Sequence, residues 1–346
     1  MQTPDQILRP YKPALVGLET NLVAAVFPLM KIYPAEYCLR CAARDGAVSG
    51  NTLVIETSSG TMALGLAIVC NRMGRRLTVV SDYACDAALK TRIEDLGARV
   101  EIVSEPAPVG GYQRSRLDRL EQIKGDTPDH WWLRQYDNPG NPSAYAPFAA
   151  QLVEELGQID CLVGTVGSGG SMCGTSTYLR TIFPDLKVVG VDTFKSVLFG
   201  QPDGPRALRG LGNSLMPRNL NHTSFDEIHW VSAAEAYTAT RILHRSSALF
   251  RGGTSGAAWM VARYWAAQHP DSRVVCIFPD DGTRYIHTIY NDSYLVDNNL
   301  LLSELPLKPR IVDDPTEAGP SWSAMYWDNR HYSDLTNPPL AVMASL

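Results

Sequence analysis

The apolar residues of the first hundred positions fall into blocks of two kinds. Continuous apolar runs such as NLVAAVF (21–27) and LTVVS (77–81) are typical of buried strands. Longer stretches in which apolar residues recur every three or four positions predict helices. The pattern predicts strands at 21–27, 53–56, 77–81 and 99–103, and helices at 34–44, 61–72 and 84–96. Strands and helices that alternate in this way predict a parallel sheet.

The alternation stops and then resumes in the second half of the chain. Residues 105–129 are predicted to be rich in loops, and the turn residues of QYDNPGNP (135–142) follow them. The interruption near residue 140 predicts two α/β halves. In the second half the pattern predicts helices at 146–156, 175–183, 233–246 and 254–268, and strands at 159–163, 187–191 and 273–278. Residues 300–346 show little periodicity, and we expect a C-terminal arm that packs on the body or on a second subunit.

The composition limits the classes of function. The chain has 346 residues, of which 45% are apolar, so it is long enough for two domains with a large core. A formal net charge of −5 and the lack of a basic stripe argue against a nucleic-acid partner. The first residues lack the layout of a signal peptide, and no apolar run is long enough to span a bilayer, so we expect no membrane partner.

The seven cysteines predict the compartment rather than the chemistry. Most of them lie within apolar runs, which is typical of free thiols in a reducing cytoplasm. Cys38 and Cys41 form a C-x-x-C pair, a pattern that occurs in redox and metal sites. No second pair and no nearby histidine completes a zinc site, so two small residues on a half-buried helix are the simpler interpretation. We expect no metal.

A glycine-rich segment, TVGSGGSMCGT (165–175), joins a predicted strand to a predicted helix. Backbone N–H groups at such a turn converge on one point, and the helix dipole adds positive potential, so the turn is suited to a phosphate. The alternative is an ordinary turn built from small residues. No lysine follows as in a P-loop, and Met172 stands where a dinucleotide site has its third glycine. Asp192, at the end of the next predicted strand, keeps a nicotinamide-dependent dehydrogenase open as a hypothesis.

A monophosphate held by backbone and hydroxyl groups is what pyridoxal phosphate requires, and that cofactor also needs a lysine for its Schiff base. The chain has seven lysines, and Lys31 differs from the others because apolar residues flank it: Leu29, Met30, Ile32 and Tyr33. Burial lowers the pKa of an amine, which favours imine formation. The alternative is a lysine at a helix start whose amine reaches solvent.

Several segments in order along the chain resemble the cysteine synthase family of fold type II pyridoxal phosphate enzymes, which includes O-acetylserine sulfhydrylases and cystathionine β-synthases. The resemblance runs from about residue 17 to residue 292. The segments that carry it are KIYPA (31–35), ETSSGT (56–61), QYDNP (135–139), GSGGS (167–171), GLG (210–212), GGTSG (252–256) and PDDG (279–282).

The resemblance implies a role for particular residues. Lys31 would be both the cofactor lysine and the catalytic base, and Thr254, with Ser255 as the alternative, would meet the pyridine nitrogen. Gly60 lies where the family usually has an asparagine beside the ring oxygen, and Met62 adds bulk there. The residues implied for the cofactor phosphate are Gly167, Ser168, Gly169, Gly170 and Ser171. Those implied for the substrate carboxylate are Thr57, Ser58, Ser59, Thr61 and Gln135.

The resemblance also implies a fold, which is two doubly wound α/β domains with mostly parallel sheets, like the β subunit of tryptophan synthase. We expect a smaller, mobile domain at 27–141 that carries the carboxylate loop. The larger domain would comprise 1–26 and 142–300 and bind the cofactor phosphate, followed by the arm at 301–346. A homodimer is expected from the resemblance.

The implied activity is β-replacement on a serine- or cysteine-type amino acid through an aminoacrylate, with a small nucleophile as the second substrate. Gly60 and Met62 depart from the family pattern, which suggests a specialised enzyme that makes a β-substituted alanine. β-Elimination, as in a desulfhydrase or dehydratase, shares the same intermediate and stays open, as do a dehydrogenase and a non-catalytic binding protein. Arg209 and Arg284 are candidates to meet an anionic leaving group or nucleophile, although a structural role is more common for arginine.

Overall fold

The protein, described here from a computed structural model over residues 4–58 and 60–335, contains two sheets. The strands are β1 (Ala14–Glu19), β2 (Leu22–Val26), β3 (Leu53–Thr57), β4 (Arg76–Ser81), β5 (Arg99–Ile102), β6 (His130–Trp132), β7 (Cys161–Thr165), β8 (Lys187–Thr193), β9 (Glu227–Val231), β10 (Val274–Phe278), β11 (Arg310–Ile311) and β12 (Ser323–Tyr326). The predicted α/β class with mostly parallel sheets is confirmed.

Eleven helices are present in the described ranges, and most of them connect parallel strands. They are α1 (Pro4–Leu8), α2 (Ile32–Arg44), α3 (Thr61–Met73), α4 (Ala87–Asp95), α5 (Gly111–Asp126), α6 (Gly140–Ser143), α7 (Ala146–Leu156), α8 (Gly170–Arg180), α9 (Ala233–Ser247), α10 (Gly253–Gln268) and α11 (Asp292–Asp297). None of the helices in these ranges is long and apolar enough to cross a membrane.

The smaller sheet has the strand order β5-β4-β3-β6, and all its strands are parallel. Successive residues of a strand face opposite sides of a sheet. Accordingly Val54 and Val79 pack into the main core with α3, whereas Ile55 and Val80 pack against α5 on the other side. Helices therefore cover both faces, which explains why the strands of this sheet are continuous apolar runs.

The prediction of a loop-rich segment at 105–129 is wrong, because α5 occupies Gly111–Asp126. The helix buries only three apolar residues, Leu117, Leu120 and Ile123, and the rest of its surface is charged or polar. Three apolar positions in sixteen residues give too weak a periodicity to predict a helix. The helix packs on β3 and β4 of the smaller sheet.

The larger sheet has the order β1-β2-β10-β7-β8-β9-β12-β11. Its centre, from β2 to β9, is parallel, and β1 and β12 add antiparallel neighbours on either side. α9 and α10 pack on one face in a cluster with Val163, Val191 and Phe278, and α7 and α8 contribute to the core on the other face.

The segment after residue 300 continues the larger sheet. β12 pairs with β9, and Trp322 and Trp327 are buried. The indole N–H of Trp322 donates to Nδ1 of His229 at 3.0 Å. The described part of this segment therefore packs on the body of its own chain.

Candidate active site

Lys31 lies at the junction between the end of β2 and the start of α2, where it is the N-cap residue. The preceding loop is held against the end of β10, since the N–H of Met30 donates to the carbonyl of Pro279 at 2.8 Å and Leu29 pairs with Asp280. Burial lowers the pKa of the Lys31 amine from 10.5 to about 8, and no charged neighbour contributes to that shift. A neutral amine is the form that attacks an aldehyde or accepts a proton.

Gly65 of α3 fixes how closely the two helices approach at Lys31. A Cβ atom at position 65 would lie 3.0 Å from the carbonyl carbon and oxygen of Lys31 and 3.1 Å from the nitrogen of Ile32. These distances are below ordinary van der Waals contact for backbone atoms. The absence of a side chain at Gly65 therefore lets α3 pack directly on the backbone of Lys31.

The loop after β3 has the composition of a carboxylate site and begins a helix. The hydroxyl of Ser58 accepts hydrogen bonds from the N–H groups of Gly60 at 3.2 Å and Ala63 at 3.3 Å. The hydroxyl of Thr57 is buried and has no partner among the described residues, and the N–H group of Thr61 also has no acceptor there. Ser59, the remaining predicted residue of this loop, lies outside the described residues. The loop thus offers unpaired donors at the positive end of α3.

Gln135 lies beside this loop, as the resemblance implied, and its side-chain amide donates to the carbonyl of Thr57 at 2.7 Å. The same amide has a second N–H that a substrate carboxylate can accept from. Gln135 therefore connects the segment after β6 to the carboxylate loop after β3.

Glu56, which the sequence analysis did not single out, lies beneath both segments and is fully buried. Its two carboxylate oxygens accept from the N–H of Thr57 at 2.6 Å, the N–H of Gln135 at 3.1 Å and the indole of Trp132 at 3.2 Å. Burial raises the pKa of Glu56 to about 7, although these three donors oppose the shift. Two of these three partners, Trp132 and Gln135, lie 76 and 79 positions away along the chain, so no local pattern marks the site of Glu56.

The glycine loop between β7 and α8 has the geometry of an anion site. Gly169 caps α8 with a φ of 83°, and a Cβ there would lie 2.7 Å from Cα of Leu220. The backbone N–H groups at 167–171 have no hydrogen-bond acceptor within the described ranges. Unpaired N–H groups at a helix N-terminus are what a phosphate binds. Ser168 and Ser171, whose hydroxyls were predicted to help, are both buried here.

Asn141 links the glycine loop between β7 and α8 to the segment of Gln135. The sequence analysis did not single it out. Its amide donates to the carbonyl of Gln135 at 2.6 Å and to the hydroxyl of Ser168 at 3.3 Å. A Cβ at Gly170 would lie 2.2 Å from its Oδ1, so only glycine fits there. The only local signal was the turn sequence DNPGNP, which predicts a bend and no contact.

Thr254 and Ser255 lie in the first turn of α10, and both hydroxyls are buried without a partner among the described residues. A Cβ at Gly210 would lie 2.8 Å from Cγ2 of Thr254, and one at Gly167 would lie 3.4 Å from the carbonyl oxygen of Gly210. The segment 208–212 therefore connects the phosphate loop to the start of α10. We call the region bounded by 57–58, 60–61, 167–171, 208–212 and 279–284 the cleft.

Gly60 is adjacent to a positive charge. A Cβ at Gly60 would lie 3.4 Å from Nη1 of Arg284, so the guanidinium stands where a larger residue at position 60 would point. The charge of Arg284 lowers the pKa of Asp280, whereas burial raises it and dominates. The glycine that stands where the resemblance predicts an asparagine thus has the guanidinium of Arg284 beside it.

Two other sequence hypotheses find no geometric support. Asp192 is fully buried, one of its oxygens accepts from the N–H of Thr193, and burial raises its pKa to about 7, so it does not face a ribose site. Burial also raises the pKa of the Cys38 thiol to about 12, which makes it a poor nucleophile. No group of three or more potential metal ligands occurs in residues 4–58 and 60–335.

These residues fit three functional groups of pyridoxal phosphate: its aldehyde, its phosphate and its ring nitrogen. The amine of Lys31 suits its aldehyde, the unpaired N–H groups at 167–171 suit its phosphate, and the unpaired buried hydroxyls of Thr254 and Ser255 suit its ring nitrogen. Lys31 and the loop at 167–171 follow the carboxyl ends of the parallel strands β2 and β7, where ligands of α/β proteins bind, and Thr254 and Ser255 begin the helix α10.

The family model for pyridoxal-phosphate dependent enzymes matches residues 30–280, which is most of the chain. The chain belongs to the pyridoxal-phosphate-dependent enzyme family. This match confirms the predicted cofactor and the predicted enzyme class, and the two related synthases described next confirm the predicted β-replacement chemistry of cysteine synthase type.

Two curated relatives of this pyridoxal-phosphate-dependent enzyme carry the same name, N-(2-amino-2-carboxyethyl)-L-glutamate synthase. The protein of Cupriavidus metallidurans is 36% identical over 272 residues, which cover 77% of this chain and 80% of the relative. The protein of Ralstonia nicotianae is 34% identical over 269 residues, with the same two coverages.

Two solved structures share the fold. An O-acetylserine dependent cystathionine β-synthase from Helicobacter pylori has a TM-score of 0.77 at 25% identity and covers 84% of this chain and 100% of its own. An O-acetylserine sulfhydrylase from Entamoeba histolytica has a TM-score of 0.75 at 22% identity, covering 87% and 99%.

Proposed function

We propose that this enzyme joins the 2-amino-2-carboxyethyl unit of a serine-type amino acid to the amine of an amino-acid nucleophile, with L-glutamate as the specific candidate. The observation that carries the proposal is the 36% identity, over 77% of the chain, to an N-(2-amino-2-carboxyethyl)-L-glutamate synthase. The altered floor of the amino-acid site, with Gly60 beside Arg284, supports a substrate pair other than that of an ordinary cysteine synthase.

Lys31 is proposed as the residue that holds the cofactor aldehyde and later moves the α-proton. When bound, pyridoxal phosphate withdraws electrons from the α-carbon of the attached amino acid, which allows the α-proton to leave and the β-substituent to be exchanged. The pKa of the Lys31 amine, lowered to about 8, lets Nζ accept that proton near neutral pH and return it to the product.

The carboxylate loop is proposed to orient the donor. The hydroxyl of Thr57 and the N–H of Thr61 are unpaired among the described residues, and they lie at the N-terminus of α3, where a carboxylate is favoured. Gln135 supplies its remaining N–H from the opposite side. Ser58 already accepts from two N–H groups, so it shapes the loop and donates its own hydroxyl proton.

A hydroxyl group rather than a carboxylate at the ring nitrogen is proposed to select the reaction. The hydroxyls of Thr254 and Ser255 are neutral, so neither stabilises a protonated ring nitrogen as an acid would. A ring with an unprotonated nitrogen withdraws electrons less strongly, which suits exchange at the β-carbon and disfavours transamination.

The test is product analysis on the holoenzyme. The enzyme is incubated with O-phosphoserine, O-acetylserine or cysteine as donor, with and without L-glutamate, and the products are identified by mass spectrometry. We expect an adduct of the three-carbon unit and glutamate with at least one donor, and no adduct with Lys31→Ala. Pyruvate with every donor and no adduct would instead establish β-elimination and contradict the proposal.

We also propose the predicted domain division, at 27–141 for the smaller domain, 1–26 with 142–300 for the larger, and 301–346 for the arm. The strands of the smaller sheet, which lie between residues 53 and 132, support it.

A cytoplasmic homodimer is proposed as well. The seven free cysteines support the compartment, and an apolar groove of about 280 Å³ along the outer side of α2 supports a second copy. Light scattering of the purified enzyme measures the assembly.

A further inference from the structure

Arg209 is an exposed side chain on a backbone segment that is tied to the cleft. Its neighbours Leu208 and Leu211 are buried, so the segment is anchored on both sides of it. The N–H of Gly212 donates to the carbonyl of Val166, just before the phosphate loop, at 2.9 Å. The Cα of Arg209 therefore has a fixed position at the rim of the cleft, next to the start of α10.

Arg209 lies between two strands of the larger sheet, β8 and β9, and its side chain contacts a residue that follows β4 of the smaller sheet. Its guanidinium carbon lies 4.8 Å from the centre of the Tyr83 ring, and its Nη2 donates to the hydroxyl of the same tyrosine. Tyr83 follows β4 and is 61% exposed, and the ring of Tyr112, at the start of α5, packs against it with 4.7 Å between centres. Arg209 and the two tyrosines thus form a surface that spans the entrance of the cleft.

The charge of Arg209 is not neutralised within the described part of the chain. Its contacts there are with the hydroxyl and the ring of Tyr83, and none of the ion pairs between described residues includes Arg209. Arg206, three residues earlier, shows the contrast, because it is paired with Asp203 at 2.9 Å and bonded to Ser214 at 2.6 Å. An arginine stacked on an aromatic ring keeps its hydrogen-bonding edge available to an anion.

We propose that Arg209, supported by Tyr83, binds a carboxylate of the incoming amino-acid nucleophile at the entrance of the cleft. This inference rests on the proposed function. The fork of N–H groups of a guanidinium matches a carboxylate in a bidentate fashion. A dicarboxylate held there by one end has its amine free to reach into the cleft, where the donor is bound. Arg209 is thus a specificity residue for the second substrate and takes no part in activating the donor.

The experiment compares Arg209→Gln, Arg209→Lys and the wild type as holoenzymes in two separate measurements. The first is the rate of the spectral change when the donor alone is added. The second is the KM for L-glutamate, together with the Ki of glutarate, which has both carboxylates and no amine. We expect the KM and the Ki to rise about tenfold or more in Arg209→Gln, and less in Arg209→Lys, because a charge-assisted hydrogen bond is lost. The rate with donor alone should stay unchanged.

Arg263→Gln is the matched control. Arg263 is also stacked on an aromatic ring, that of Trp259 at 5.5 Å, and it pairs with Glu19 at 3.1 Å far from the cleft. It should leave all three quantities unchanged. An unaltered KM for glutamate in Arg209→Gln would overturn the inference, and so would an equal loss in the donor step, which would indicate cleft closure instead. A wild-type enzyme that forms no adduct with glutamate at all would refute the proposed function before any variant is compared.

Discussion

Burial, and no charged neighbour, lowers the pKa of Lys31, the residue that we propose bonds the cofactor. Because burial lowers the pKa of its amine to about 8, a useful fraction of the amine is neutral near physiological pH. We expect the apoenzyme to capture added pyridoxal phosphate at a rate that increases with pH up to about 8 and then levels off. The measurement is the appearance of the visible absorption of the lysine-bound cofactor.

Two variants define the specificity of this effect. Lys31→Arg keeps the positive charge but cannot bond the aldehyde, so it should stay colourless at every pH. Lys90→Ala, which removes an exposed lysine paired with Glu94, should behave as the wild type. A capture rate that keeps rising towards pH 10 in the wild type would show that the amine is solvated, contrary to its position here.

The buried carboxyl group of Glu56 leads to a prediction on how the free energy of unfolding changes with pH. Its pKa is about 7 in the folded protein and near 4.5 when solvated, so the folded state holds the proton more tightly. Its contribution to stability is therefore fully present below about pH 4.5 and is lost as the pH rises through about 7. A shift of this size corresponds to about 3 kcal/mol. Urea denaturation of the apoenzyme between pH 5 and 8 measures it.

The variant Glu56→Gln separates this group from others that titrate in the same range, such as Asp192. The free energy of unfolding of Glu56→Gln should fall less steeply between pH 5 and 7 than that of the wild type. Glu94→Gln, at an exposed surface pair, should keep the wild-type slope. Identical slopes for Glu56→Gln and the wild type would mean that the three N–H donors around Glu56 offset its burial.

A site residue could be predicted from the sequence where its neighbours in space are also its neighbours along the chain. Lys31 is flanked by apolar residues along the chain, and its partial burial could be predicted from them. Glu56 and Asn141 could not be predicted, because the partners that define them come from other elements, such as Trp132 for Glu56 and Ser168 for Asn141. Contacts between distant segments are fixed by the topology, which the local pattern does not contain.

At the scale of elements, the turn from β7 into α8 supports a prediction about the glycine that caps the helix. In Gly169→Ala the new methyl group would lie 2.7 Å from Cα of Leu220, in a backbone conformation with φ of 83°. The loop must move to relieve this overlap, and its N–H groups then no longer converge. We expect the affinity for pyridoxal phosphate to fall at least tenfold, as measured by equilibrium titration of the apoenzyme.

Gly157→Ala is the matched control for this variant. Gly157 also has a positive φ, of 70°, but a Cβ there meets no atom within 4 Å. Because its ψ of −125° lies outside the left-handed helical region, the variant should lose about 1 to 3 kcal/mol of stability from the strained backbone alone and keep the affinity for the cofactor. Equal loss of affinity in both variants would show that general destabilisation, and not the shape of the loop, is responsible.

Three of the elements that the sequence did not predict, β9, β12 and α5, lack a clear hydrophobic period. β9 and β12 are short and mix polar with apolar residues, as in EIHWV and SAMY, so neither period stands out. α5 has few apolar residues because one of its faces is exposed. By contrast, the helix predicted at 146–156 is confirmed to the residue as α7, since a proline near its start and a glycine after its end mark it.

At the scale of the whole molecule, the order of strands could not be predicted from the sequence alone. β2 lies beside β10, although some 250 residues separate them. The resemblance to a family, and not periodicity, indicated how the two halves come together.

The C-terminal segment gives a prediction at this scale. A chain that ends at residue 308 lacks β11 and β12, which leaves the edge of β9 and the buried face around Trp230 uncovered. Exposed strand edges promote association. We expect this truncated protein to aggregate and to unfold at a lower temperature, as measured by light scattering and calorimetry. A chain that ends at residue 335 keeps β11 and β12, and it should aggregate less and unfold at a higher temperature than the chain that ends at 308.

The pairing of β2 with β10 has a consequence for synthesis on the ribosome. The loop that positions Lys31 is bonded to residues 278–280, which leave the exit tunnel long after the lysine itself. A nascent chain that ends before residue 278 has the amine of Lys31 but lacks the strand end that positions it. Cofactor capture is therefore expected to follow translation of nearly the whole polypeptide, so that an incomplete chain released early remains without its vitamin-derived group.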